Sequence, residues 1–150
     1  MAATNLNFSA AVDSWVKETN QRMEAVFKQS TQEISSIAVQ NLSGGVVNVQ
    51  TGFLRASERA STESMPSIDP KAYPEPNGHY PFDEGQISLV INSAELGQTI
   101  FLGWTAAYSG FIEWGTSKMA PRGFVRLAAA QWQTVVSRVT AEAKARSSAQ

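Results

Sequence analysis

The residues best suited to chemistry are few and scattered. His79 is the single histidine, within Pro76-Asn77-Gly78-His79-Tyr80-Pro81. A catalytic base must be held rigidly by a third group, and a proline–glycine loop holds nothing rigidly. His79 therefore reads as a loop or interface residue. Asp83 and Glu84 are adjacent, so a strand would point their carboxylates to opposite faces. They read as a solvated pair beside a turn. Lys118, Arg122 and Arg126 form the best basic cluster, with Arg122 and Arg126 four apart on one helix face. Such a pair can touch phosphate at a helix start or pair with acids of a partner subunit; the second is the preferred reading. The chain has no cysteine, which removes disulfides, thiolate zinc sites and thiol nucleophiles. It has no GxSxG elbow, GxGxxG or Walker-type loop. These residues predict no enzyme, no cofactor and no metal.

Composition narrows the class further. The net charge of −1 supplies no polycation to grip DNA or an acidic membrane. With 43% hydrophobic and 17% charged residues, the chain should fold rather than stay disordered. Its 150 residues make one domain. No run approaches the ~18 apolar residues of a membrane span, and Met1 to Ser9 lacks the pattern of a signal peptide. The expectation is a soluble intracellular protein.

The elements that must position these residues follow from periodicity. Val12, Trp15, Met23, Val26, Phe27, Ile34, Ile37 and Ala38 recur at mostly helical steps. They predict a helix from about Ser9 to Leu42, capped by Asn7 or Ser9 and stopped at Gly44-Gly45. Unbroken, it would span about 50 Å at 1.5 Å per residue, too long for a compact domain of this size. Part of it would then pack on something outside its own domain. Alternatively, it breaks in two around Ser30 to Ser36. Val46 to Gln50 reads as a short strand. Thr51 reads as the cap of a short helix over Gly52 to Ala60.

Residues 62–83 hold five of the six prolines, which prevents both helix and central strand. The tract also carries Met65, Ile68, Tyr73, His79, Tyr80 and Phe82. So many large groups suggest an arm that docks on a neighbour, with a floppy surface loop as the alternative. Gln86 to Asn92 alternates Ile87, Leu89 and Ile91 on one face against Ser88, Val90 and Asn92 on the other and reads as a strand. Thr99 to Trp104 reads as its antiparallel hairpin partner. Ala106 to Trp114 fits one or two helical turns ending at Gly115. A last helix runs from Arg122–Phe124 to about Ala145, with an apolar stripe of Phe124, Ala128, Trp132, Val135, Val136, Val139 and Ala143. The four tryptophans read mainly as core, with one or two available for interfaces.

Charge is segregated along the chain. Residues 58–113 carry net −6 and residues 114–150 net +5. Opposite patches can register subunits on one another, or the basic helix can lie beside the acidic loop within one chain.

Three segments carry a resemblance. Thr51-Gly52-Phe53-Leu54-Arg55-Ala56-Ser57 resembles a TGxLRxS motif. Tyr108 to Thr116, YSGFIEWGT, resembles YAxxVExGT, with Ser109 for alanine. Pro121 to Ala128, PRGFVRLA, resembles xRPFLRPA, with Gly123 where proline is common. In this order, between two helices, they are similar to the HK-ninety-seven gp-ten-like tail-component family, the neck and tail-completion proteins of long-tailed bacteriophages. The resemblance implies an α+β fold: a long N-terminal helix, a small antiparallel sheet and a C-terminal helix; the proline-rich protruding loop at 62–83, read from the residues, is longer than the family pattern leads one to expect. It implies a structural virion protein at the head–tail junction, in an oligomeric ring that is commonly sixfold. Implied partners are further copies of the chain, the tail terminator or tail tube, and the head-completion or portal-adaptor protein. DNA would pass through the ring without sequence-specific binding. The net −6 of residues 58–113 further suggests that the acidic middle lines this channel, where like charge keeps DNA from sticking. Assembly would take place in the bacterial cytoplasm. A tail terminator or a non-virion assembly chaperone is the alternative. Expected subunit-interface residues are Tyr73, His79, Tyr80, Phe82, Glu113, Trp114, Lys118, Arg122 and Arg126. Glu113 is the expected ion-pair partner of Arg122 or Arg126, within or between subunits.

Overall fold

The computed structural model describes the backbone of residues 2–150 and the side chains of residues 8–150. Helix α1 runs unbroken over Ala2–Gln40 and ends in one wide π-helical turn, Asn41–Gly45. The run of Ser, Thr and Gln at 30–36 does not break it. Ser30, Thr31 and Ser35 lie inward, and Thr31 donates its hydroxyl back to the Phe27 carbonyl. The helix begins earlier than expected, so the proposed caps at Asn7 and Ser9 fall within it; the Asn7 side chain lies outside the described residues. Gly44, at φ 105°, turns the chain out of the helix as expected.

Four further helices and a short turn of helix surround α1. They are α2 Phe53–Ala56, α3 Glu84–Ser93, α4 Ser109–Trp114, α5 Phe124–Ala129 and α6 Trp132–Ser148. Two strands, β1 Glu58–Ser61 and β2 Phe101–Trp104, pair antiparallel with Glu58 opposite Trp104. The architecture is α+β and mostly helical, with a long helix at each end of the chain. Among the described residues, no helix is long and apolar enough to cross a membrane.

Several local expectations are corrected. Residues 46–50 form no strand. The helix after Thr51 stops at Ala56, because residues 58–61 pair with β2 instead. Residues 86–92 are helix α3, not a strand. Their alternation was ambiguous: Ile87, Ile91 and Ala94 also fall at helical steps, and these three are buried while Leu89 is 67% exposed. Asp83 settles the local choice by accepting the Gly85 N–H at 2.9 Å, a helix cap. With its hairpin partner helical, β2 pairs with β1 across some forty residues of chain. The last helix is interrupted at Ala130-Gln131, giving α5 and α6. Trp132, expected in the stripe, is 39% exposed there.

The core gathers Ala38 and Leu42 of α1, Leu54 of α2, Trp104 of β2, Ala106, and Phe124 and Ala128 of α5. The Trp104 and Phe124 rings meet edge to face at 5.2 Å. Complete burial of a side chain such as Phe124 contributes about 2–3 kcal/mol. A second layer places Ile87 and Ile91 of α3, and Val135 and Val139 of α6, in buried positions. The α3 layer is fastened to α1 by polar contacts: Lys28 donates to the Asn92 carbonyl, and Gln32 to Glu84.

Residues 62–83 contain neither helix nor strand, as their prolines require. The tract is nonetheless tied to its own chain. Asp69 N–H donates to the Thr105 carbonyl, Ala107 N–H to the Ala72 carbonyl, and Tyr80 N–H to the Thr51 carbonyl. These bonds replace the floppy-loop alternative with a strap laid across the body.

Gly52 marks where the strap is closest. Its φ is +80°, and a Cβ there would sit 2.6 Å from the Tyr80 carbonyl oxygen. Gly52→Ala should therefore destabilise the fold by about 2–3 kcal/mol, from left-handed strain plus displacement of the strap. Chemical denaturation checks this. An unchanged midpoint would mean that the strap is not held at Thr51-Gly52.

Candidate functional site

Glu113 organises the one place where expected interface residues converge. Helix α5 opens at Gly123, which has no side chain to cap the helix. The orphan N–H groups are instead satisfied from α4. Glu113 accepts from Val125 N–H at 2.9 Å and from Arg126 N–H at 3.1 Å. Its carboxylate thus sits at a helix N-terminus, where negative charge is favoured. The Arg126 side chain closes the unit: Nε donates to the Glu113 carboxylate at 2.9 Å and Nη2 to the Glu113 carbonyl at 2.8 Å. The ion pair expected within or between subunits lies within the chain, with Arg126 rather than Arg122.

Gly115 lets the chain return. At φ +79°, its missing Cβ leaves room for the Met119 carbonyl and Pro121. Arg122 N–H then donates to the Ile112 carbonyl at 2.9 Å, docking the loop on α4. The buried half of this unit is structural, and the outer half is bare. The Trp114 ring is 64% exposed, and the Arg126 guanidinium lies over it, 4.3 Å from the ring centre. Phe111, one helical turn earlier, is 58% exposed. Ile68 of the strap lies against Gly110 and, with Met65, Leu102 and Trp114, lines a shallow cleft of about 310 Å³. Arg122 lines the surface beside Arg126, and Lys118 is exposed. An exposed tryptophan beside an arginine, on an apolar floor with a basic rim, has the composition of a protein-binding hot spot.

The arm residues are placed differently. Tyr80 packs edge-on against Phe53 at 4.9 Å, and Tyr73 stacks on Tyr108 at 6.2 Å. Both rings hold the strap to its own chain; Tyr80 is half-buried there, while Tyr73 keeps 60% of its surface exposed. Phe82 is half-buried and His79 is exposed. Desolvation raises the Tyr108 hydroxyl above its ordinary pKa.

Nothing in the sequence reading singled out Glu58. It is 2% exposed, sits on β1 and accepts a hydrogen bond from the Ser35 hydroxyl at 2.7 Å. Its second oxygen has no partner among the described residues. Burial pushes its pKa up to about 7, and the nearby Glu84 charge adds to the rise, against the Ser35 bond. A perturbed carboxyl can mark a catalytic site, but this one is sealed from substrate. Among the described residues, no three of His, Asp and Glu converge to hold a metal.

The other bare surface is on α1. Phe8, Val12, Trp15, Val16 and Met23 are exposed along one side of its first half. Their helical spacing was legible; that the protein's own body leaves them uncovered was not.

No protein-family model matches the chain, and no curated protein and no solved structure matches it.

Proposed function

We propose that this chain is a structural subunit of the bacteriophage neck, completing the tail and joining it to the DNA-filled head as one copy in a ring. The observation that carries the reading is the interlocking of the three resembling segments. Phe53 of the first packs beside Tyr108 of the second, with ring centres 6.4 Å apart. Glu113 of the second caps and pairs with the third. The segments act as one unit, and that unit presents a bare Trp114–Arg126 patch suited to a protein partner. A ring needs such surfaces, because each copy must bind the next. Its further partners are then the tail terminator or tail tube on one side and a head-completion or portal-adaptor protein on the other. DNA threads the ring without being read.

Electron microscopy of a lysate from a phage lacking this gene tests the proposal. DNA-filled heads beside separate tails of normal length are expected. Overlong tails would replace this role with that of the tail terminator. Intact, infectious particles would remove the structural role altogether.

A further inference from the structure

We infer that the bare first half of α1 in one copy seats on the Trp114 patch of the next copy, so that copies join head to tail. The inference rests on the ring reading for its partner, a second copy of this chain.

The stripe on α1 shows what is missing. Farther along the same face, Met23 and Val26 meet Ala143 and Ser147 of α6 across a cleft of about 500 Å³. Helix α6 ends at Ser148. Val16, Trp15, Val12 and Phe8 continue the face beyond that point, at steps of one, three and four, with Phe8 73% and Trp15 66% exposed. A helix segment with no tertiary cover is marginal in water. Its apolar face therefore asks for the same kind of cover that α6 supplies lower down.

The matching surface lies at the other end of the molecule. The Asn41 side chain, at the end of α1, donates to the Phe124 carbonyl and fixes α5 there. Trp15 and Asn41 are separated by roughly 39 Å of helix at about 1.5 Å per residue. The tip of α1 therefore cannot reach the patch of its own chain. Two unlike apolar surfaces at opposite ends make a heterologous contact, the kind that closes rings.

Size and charge agree with the pairing. Phe8, Trp15, Phe111 and Trp114 each expose more than half of their surface. At about 150–250 Å² for a whole aromatic side chain, they offer roughly 400–600 Å² for burial. Val12, Val16, Met65 and Ile68 bring the total toward the ~1,000 Å² of a specific interface. Asp13 is the only charged side chain from Phe8 to Val16, whereas Arg122 lines the surface beside Arg126, whose guanidinium lies over Trp114. The contact thus sets one negative charge against a positive rim.

The natural absence of cysteine makes a direct test clean. Ser9→Cys, beside Phe8, and Ser64→Cys, beside Met65, are exposed small-residue changes that spare the apolar contact. They are introduced together, and the purified full-length protein is treated with a short thiol-to-thiol crosslinker. A ladder of linked oligomers is expected. Adding Trp15→Glu should reduce the ladder at least about tenfold, the effect of losing a hot-spot side chain. Circular dichroism of that variant should match the parent, since Trp15 is bare. Failure of the double variant to link, at the highest soluble concentration, would overturn the inference. So would dimers from Ser9→Cys alone, which would mean that tips meet tips. A ladder together with intact particles from the deletion lysate would keep the contact and remove the neck role. Separate heads and tails without a ladder would do the reverse.

Discussion

Replacing Glu113 with alanine should lower the thermal midpoint by about 10 °C. The carboxylate is buried and receives the Val125 and Arg126 N–H groups together with Arg126 Nε. Its removal leaves the first turn of α5 uncapped, because Gly123 has no side chain to substitute. Loss of a cap costs about 0.5–2 kcal/mol, and each orphaned buried donor costs about 1–3 kcal/mol. Arg126 is half-exposed, so water screens much of its ion pair and its share is small. A total of about 3 kcal/mol follows, which at about 2–4 °C per kcal/mol gives the stated shift. Glu113→Gln should fall between parent and alanine variant, since the amide oxygen still accepts one N–H. Thermal melts followed by circular dichroism check both. A midpoint within about 2 °C of the parent, less than 1 kcal/mol, would show that α5 is held by Phe124 packing alone.

The second large effect is a dependence on pH that one substitution removes. Glu58 has a folded pKa of about 7 against an ordinary 4.5. Below pH 4.5 it is protonated both folded and unfolded, and its burial costs no ionisation. Between about 4.5 and 7 the unfolded chain releases this proton while the folded chain keeps it. Stability therefore falls as pH rises through that window and levels off above pH 7. The difference of roughly 2.5 pKa units corresponds to about 3 kcal/mol. Glu58→Gln holds a neutral side chain at every pH and keeps an oxygen for the Ser35 hydroxyl. Its amide nitrogen replaces the unpartnered oxygen at a cost that does not vary with pH. The variant should match the parent within about 1 kcal/mol near pH 4 and exceed it by about 3 kcal/mol at pH 8. Groups common to both proteins cancel in the difference. Denaturant unfolding of both proteins across pH 4–8 measures it. Parallel stability curves would place Glu58 in contact with water, its carboxylate free to ionise in the folded chain.

Both effects arise where a carboxylate is removed from water, and only one of the two was legible in the chain. Glu113 falls near the end of the short helical pattern over Ala106 to Trp114 and stands within the segment resembling YAxxVExGT. That context marked it as an ion-pair residue. Glu58 follows directly on the first resembling segment and looks like any surface glutamate beside an arginine. Its burial comes from the pairing of β1 with β2, which brings Glu58 opposite Trp104 and under α1. Pairing across some forty residues leaves no local trace.

Sequence alone determined the long first helix, its glycine stop, the strap without regular structure and the helical pattern before Gly115. Each of these depends on contacts within a turn or two of chain, or on proline geometry, and both are written residue by residue. Tertiary structure decided the rest. Residues 86–92 satisfied two periods at once, and the capping of α3 with burial of Ile87, Ile91 and Ala94 against the body chose the helix. Strand β2 then took the partner that remained. The strap tyrosines found Phe53 and Tyr108 in their own chain, with Tyr73 still mostly exposed. The apolar stripe of α1 is continuous in sequence, but where α6 ceases to cover it depends on how the two helices dock. Periodicity says which face is apolar; only packing says how much of that face is left for another molecule.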